Sequence, residues 1–113
     1  MKRTGLMKIE QYQVVIVNLD PTVGQEIRKT RPCVVVSPDE MNQPLSTIVV
    51  VPCTKTGRNY PTRVKIKIGR TNSYAAVDQI RTISKRRVYQ VKAKLKVAEI
   101  AEMKAVIKET YVD

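Results

Sequence analysis

Three runs of mostly β-branched residues, each closed by a proline, set the narrowest limit on what this chain folds into. YQVVIVNL (residues 12–19) ends at Asp20-Pro21, CVVVS (33–37) ends at Pro38, and TIVVVPC (47–53) carries Pro52 near its end. Runs of this length and composition favour strands over helices, and proline withdraws the donor a ladder needs. TIVVVPC is apolar on both faces, which predicts a central strand. TRVKIKI (62–68) alternates strictly, predicting Val64, Ile66 and Ile68 inward and Arg63, Lys65 and Lys67 outward. PDEMNQPLS reads as a turn or a short helical piece. GRTNS turns the chain into a strand over 74–83, and the basic turn SKRR precedes VYQVKAKL.

Only the C-terminal segment changes period. Val97, Ile100, Met103, Ile107 and Tyr111 share one helical stripe, behind a start at Lys96 that is no N-cap residue. The expected fold is mainly β with a C-terminal helix, a small curled antiparallel sheet or barrel. One domain spans residues 1–113, with residues 1–10 a loosely ordered extension. A core this small gains stability if one sheet face is buried against a second copy.

Charge and missing residue types narrow the chemistry. The net charge is +11, from 21 Lys and Arg against 10 Asp and Glu, and Asp78 is the one acid between Glu40 and Glu99. So basic a block favours a polyanionic partner, nucleic acid or an acidic protein segment. There is no histidine, which removes the usual serine and cysteine triads. Cys33 and Cys53 have no partners at metal-ligand spacing and lie in strand-like runs, so they read as two reduced core thiols, with no metal and no cofactor expected. The N-terminus lacks the apolar stretch of a signal peptide and no run reaches membrane-span length, so a cytoplasmic protein is expected.

The connection between the first two strands is long for a hairpin and contains GQEIRKTRP (24–32). Arg31 precedes Pro32, which biases it toward extended backbone at a strand entrance, while Arg28 and Lys29 stay on the loop. Thr54 follows the last core residue of the third strand, where its hydroxyl suits either a phosphate oxygen or a turn cap. Asp78, Gln79 and Arg81 lie in VDQIRT, where a structural Asp–Arg pair and a functional role are both open.

Without histidine or metal, RNA is a substrate that brings its own nucleophile. Attack by a 2′-hydroxyl on the adjacent phosphorus leaves a 2′,3′-cyclic phosphate and a 5′-hydroxyl. Arg31 suits the charge that builds on phosphorus, because its planar fork holds two oxygens and keeps its charge. Glu26 is the acidic candidate for general base in the same loop, though a neighbouring arginine would lower its pKa.

NLDPTVGQEIRKTRPCVVVSP, VVVPCTKTGRNYP and VDQIRTISKRR, in that order and spacing, resemble the MazF/PemK/Kid family of toxin endoribonucleases over roughly residues 12–90. The resemblance implies a CcdB/MazF-type barrel related to SH3-like folds and a homodimer. It also implies metal-independent cleavage of single-stranded RNA at a short sequence, and neutralisation by a cognate antitoxin whose acidic C-terminal segment covers the RNA groove. By position, Arg31, Thr54 and Glu26 match the family's catalytic set. The RNA-contacting candidates are Gln25, Arg28, Lys29, Lys55, Arg58, Asp78, Gln79 and Arg81. The chain departs from the Kid-like branch at Ala76 and Gln25, where that branch has Arg and His, and from most members at Tyr12 and Gln13. Two other functions share the fold, a CcdB-like gyrase poison and a member that binds RNA or antitoxin without cutting. A gyrase poison of that type acts through an aromatic C-terminal tail, typically with Trp, and this chain has no Trp.

Overall fold

A computed structural model describes residues 8–19, 30–56 and 60–112. The elements in chain order are β1 (Gln13–Asn18), β2 (Thr30–Val35), α1 (Asp39–Asn42), β3 (Thr47–Thr54), β4 (Arg63–Ile68), β5 (Thr71–Ala76), β6 (Arg81–Ser84), β7 (Val88–Lys94) and α2 (Val97–Ile107). Among the described residues every pairing is antiparallel, in the order β4-β5-β3-β2-β1-β7, with β6 also on β3. The expected central strand is central: Thr47–Val50 pair with β6, while Cys53 and Thr54 pair with β5. The sheet therefore changes partner along β3 and curls into a half-barrel. Among the described residues no helix is long and apolar enough to cross a membrane.

Because β1, β2 and β3 are buried on both faces, the domain has two apolar layers. Val14, Val34, Val51, Cys53, Val64 and Ile66 pack under α2 residues Met103 and Val106. Val15, Val17, Cys33, Val35 and Val50 face the other way, toward Ile83, Val88 and Ile9. Cys33 and Cys53 thus belong to opposite layers, and both thiols are free and buried. Ile9, inside the segment expected to be loose, is 3% exposed; residues 1–7 lie outside the described residues. Tyr12 adopts φ +68°, a costly conformation for a tyrosine, held by Tyr12 N–H donating to Val35 O (2.6 Å) and Leu95 N–H donating to Tyr12 O (2.9 Å).

Several expectations are corrected. The second strand begins at Thr30 rather than residue 33, since β1 pairs Asn18 with Thr30, Val17 with Arg31 and Ile16 with Pro32. Pro32 is tolerated because the β2–β3 ladder stops at Cys33–Pro52, so its missing N–H is not called on there. The strand expected over 74–83 is broken by a 3₁₀ turn, Val77–Gln79, where the chain crosses from the β5 half of β3 to the β6 half. The preceding turn is only Gly69-Arg70. Gly69 has φ +64° at the first central position, the place a type II′ hairpin turn requires glycine. On α2 the buried pair is Met103 and Val106, while Val97 is 85% exposed and Tyr111 sits in a C-terminal π turn, its hydroxyl donating to Val77 O at 2.7 Å. Glu99 supplies the cap that Lys96 cannot: Oε1 accepts from Lys96 N–H at 2.8 Å and Oε2 from Lys67 N–H on β4 at 2.9 Å.

Candidate active site

Pro32 and Pro52 explain why Arg31 and Thr54 come together. Neither proline has an N–H to extend the ladder, so β2 and β3 stop pairing at Cys33–Pro52 and their ends part. Arg31 reaches across the opening, its Nη1 donating to Cys53 O at 3.4 Å. The guanidinium is thereby set against the Cys53–Thr54 peptide while Arg31 itself stays exposed. The Thr54 hydroxyl accepts a long bond from Thr56 N–H (3.4 Å), and its carbonyl accepts from Ser73 Oγ (3.2 Å). The capping role is thus present, and the hydroxyl proton is left to donate.

Two clefts meet at this pair. One, of about 630 Å³, is lined by Arg31, Thr54, Lys55, Asn72, Ser73 and Lys92, among others. The second, of about 510 Å³, is lined by Arg31, Thr54, Arg63, Gln79, Arg81 and Leu19, with Pro52. No carboxylate among the described residues lines either cleft. A basic trough therefore runs through Arg31 and Thr54, open on both sides of the pair. Among the described residues no cluster of three or more His, Cys, Asp or Glu converges on a point.

Arg63 leaves the exposed row in which the alternation puts it. Lys65 and Lys67 are exposed, but the Arg63 side chain is only 11% exposed. Its Nη1 pairs with Asp78 Oδ1 and also donates to Thr62 Oγ1 at 3.3 Å, and Thr62 Oγ1 donates to Asp78 Oδ1 at 2.9 Å. Tyr60 lies over the guanidinium, 4.9 Å from ring centre to Cζ. Asp78 accordingly stands behind Arg63 in the 3₁₀ turn, whereas Gln79 and Arg81 reach the second cleft.

Of the candidates read from sequence, the fold gathers Arg31, Thr54, Lys55, Gln79 and Arg81 around the trough. Gln25, Glu26, Arg28, Lys29 and Arg58 lie outside the described residues. Sequence reasoning missed Asn72, Ser73 and Lys92. GRTNS looks like loop, and Lys92 reaches the first cleft from β7, five strands away from β4 in the sheet order. Burial pushes the Cys33 thiol up to about 12 and raises Cys53 as well, with the Arg31 charge opposing both, so neither serves as a nucleophile.

Comparison with known proteins bears on this geometry. The profile of PemK-like, MazF-like toxins of type II toxin–antitoxin systems matches residues 10–111. The chain is 34% identical over 71 residues to Endoribonuclease toxin MazF of Escherichia coli, a match covering 63% of this chain and 64% of that one. It therefore spans just under two thirds of that relative's length. It is 32% identical over 102 residues to Endoribonuclease MazF9 of Mycobacterium tuberculosis, covering 81% and 86% of the two chains. Among solved structures, MazF from Deinococcus radiodurans superposes with a TM-score of 0.77 at 22% identity, covering 95% and 99%. A mycobacterial endoribonuclease in complex with its cognate antitoxin gives 0.76 at 20%, covering 89% and 92%. At these identities the structural likeness speaks to the fold.

Proposed function

The chain belongs to the PemK-like, MazF-like toxin family of type II toxin–antitoxin systems, and on that premise we propose that it is an endoribonuclease cutting single-stranded RNA at a short sequence. The observation that carries the reading is Arg31, braced at 3.4 Å against the Cys53 carbonyl beside Thr54, at the junction of two clefts that no carboxylate among the described residues lines. The scissile phosphate sits between Arg31 and Thr54, with the RNA continuing into both clefts. The ribose 2′-hydroxyl attacks phosphorus in line, the P–O5′ bond breaks, and the products are a 2′,3′-cyclic phosphate and a 5′-hydroxyl. Two protons move: one leaves the 2′-hydroxyl and one is gained by the departing 5′-oxygen. Arg31 and the Thr54 hydroxyl donate to the non-bridging oxygens as charge builds, each worth about 10²- to 10³-fold if preorganised. The chemistry asks for no metal, and Glu26 is the proposed general base. Lys55 and Arg81 hold flanking phosphates, one in each cleft, and Gln79 contacts the strand beside Arg81. Gln25, Arg28, Lys29 and Arg58 are proposed to contact the RNA from the loops that carry them.

The same basic trough suits the acidic segment of a cognate antitoxin, which would inhibit by occupying it. The protein is proposed to act in the cytoplasm as a homodimer. A second copy would cover the apolar groove lined by Tyr12, Val36, Met41, Ile80, Ile107 and Val112, where Met41 is 42% and Val112 73% exposed. The test is cleavage of a long single-stranded RNA in excess EDTA, wild type beside Arg31→Ala, with fragment ends mapped. Cuts at one short motif, with cyclic-phosphate and 5′-hydroxyl ends and absent in the variant, support the reading. Intact RNA with folded, antitoxin-free protein refutes it in favour of a non-cleaving binder.

A further inference from the structure

We propose that the Arg63–Asp78 pair determines sequence specificity by reading one unpaired RNA base at the rim of the cleft that Arg63 lines together with Arg31 and Thr54. The inference rests on the ribonuclease reading above and goes further, because it gives a residue pair outside the cleavage machinery a defined ligand. Four observations lead to it.

Arg63 is the one basic side chain of the β4 row that is withdrawn from solvent, 11% exposed, and it lines the second cleft together with Arg31 and Thr54. Its guanidinium is held in two ways, by the bonds of Nη1 to Asp78 and Thr62 and by its place over the Tyr60 ring. Holding a rotamer-rich arginine in one pose removes the entropy that recognition otherwise costs. A withdrawn ion pair adds little net stability, so its construction calls for another reason. Finally, Arg63 Nε is buried and has no hydrogen-bond partner, an N–H donor that the fold leaves unsatisfied.

The choice between phosphate and base follows from charge. Asp78 sits directly on Arg63 and offsets its charge, so a phosphate there would meet a carboxylate at close range. Arg31, Arg81 and Lys55 offer phosphate positions without that repulsion, since none of them is ion-paired to a carboxylate among the described residues. What the pair offers instead is a donor beside an acceptor, Arg63 N–H next to Asp78 Oδ2, since Oδ1 is already engaged by Arg63 and Thr62. A ring nitrogen or carbonyl next to an N–H group is the neutral pattern that fits, and every base carries one on its Watson–Crick edge. In a fixed pose the order of donor and acceptor therefore separates A and C from G and U. Asp78 is 41% exposed, so the acceptor half is reachable.

The test is sequencing of cut sites from an RNA pool with randomised positions, using the full-length wild type, Arg63→Gln, Arg63→Lys and Asp78→Asn. The readout is the ratio of cuts among sequences, which is independent of how much protein is folded. Arg63→Gln is expected to flatten the preference by about ten-fold or more at a single position. Asp78→Asn, which replaces an acceptor by a donor, is expected to alter the preferred base at that same position, and it carries the test alone if Arg63→Gln fails to fold. Arg63→Lys keeps the charge but not the fork, and is expected to behave like Arg63→Gln. Unchanged preferences in Arg63→Gln and Asp78→Asn overturn the proposal, as does a uniform loss at all sequences that lysine restores, which would make Arg63 a phosphate contact. A wild type that cuts nothing in the pool overturns the ribonuclease reading and this inference together, and is seen before any variant is compared.

Discussion

Glu99→Ala isolates the clip that joins α2 to the sheet. The carboxylate accepts from Lys96 N–H at 2.8 Å and from Lys67 N–H at 2.9 Å, satisfying one donor at the helix start and another on β4. The helix-start bond is a cap, worth about 1 kcal/mol. The bond to Lys67 is charge-assisted but lies at the surface, so it is discounted to about 1 kcal/mol. The loss is therefore about 2 kcal/mol. Unfolding entropy near 2.1 cal/mol/K per residue gives this 113-residue chain about 0.24 kcal/mol/K, so each kcal/mol moves Tm by about 4 °C. Glu99→Ala should lower Tm by about 8 °C in a differential scanning experiment, and Glu99→Gln, which keeps one strong acceptor, by about half that. Loss of the N-terminal helical turn should appear as faster amide exchange around residues 97–100. A fall of under 2 °C would refute the clip, and with it the account of how α2 is seated over Met103 and Val106.

Met103→Ala empties the middle of the layer under α2 and should cost about 2–5 kcal/mol, read as the shift of the urea midpoint. Arg31→Ala should reduce cleavage by about 10²- to 10³-fold or more with Tm within a few degrees of wild type, because Arg31 is exposed; loss of folding would contradict its placement. Thr54→Val should slow cleavage by about 10²-fold and Thr54→Ser should restore most of it, whereas a near-normal valine variant would leave Thr54 only the turn cap. Arg81→Gln should shallow the dependence of log K on log salt by about 0.7, measured by RNA binding, and no change would remove Arg81 from the phosphate path. The Cys33 thiol is raised from 9.0 to about 12 in the fold, so above pH 9 the unfolded chain loses a proton the native one keeps. Stability should be insensitive to this group below pH 9 and fall by about 1.4 kcal/mol per pH unit from there toward 12, followed as Tm against pH, with Cys33→Ala showing the shallower decline.

The strands and their prolines were legible because period and composition report burial directly. The central position of TIVVVPC, the inward Val64 and Ile66, and the C-terminal helix all followed from it. What was not legible depended on pairing. The extension of β2 through Pro32 is imposed by β1, and the break at Val77–Gln79 by the switch of partner along β3. Tertiary pairing overrode both local signals. Arg31 and Thr54 could be singled out as candidates from their places at strand ends, but the bond of Arg31 to Cys53 O, which brings them together, could not be read from sequence. Lys92 gave no signal, because its approach to the first cleft comes from a strand that pairs, among the described residues, with β1 alone. Arg63 misled for the opposite reason. Alternation tells which face a side chain leaves from, and only the fold shows Asp78 waiting there.

The most direct test of the central claim, that Arg31 and Thr54 help RNA cut itself, is a single-turnover cleavage rate on a mapped-site oligonucleotide pair. One strand is all ribose; the other carries a single 2′-deoxy at the nucleotide before the cut. The account predicts that both bind alike in EDTA and that only the all-ribose strand is cleaved. Equal cleavage of the two strands would mean that another nucleophile does the work, and would contradict it.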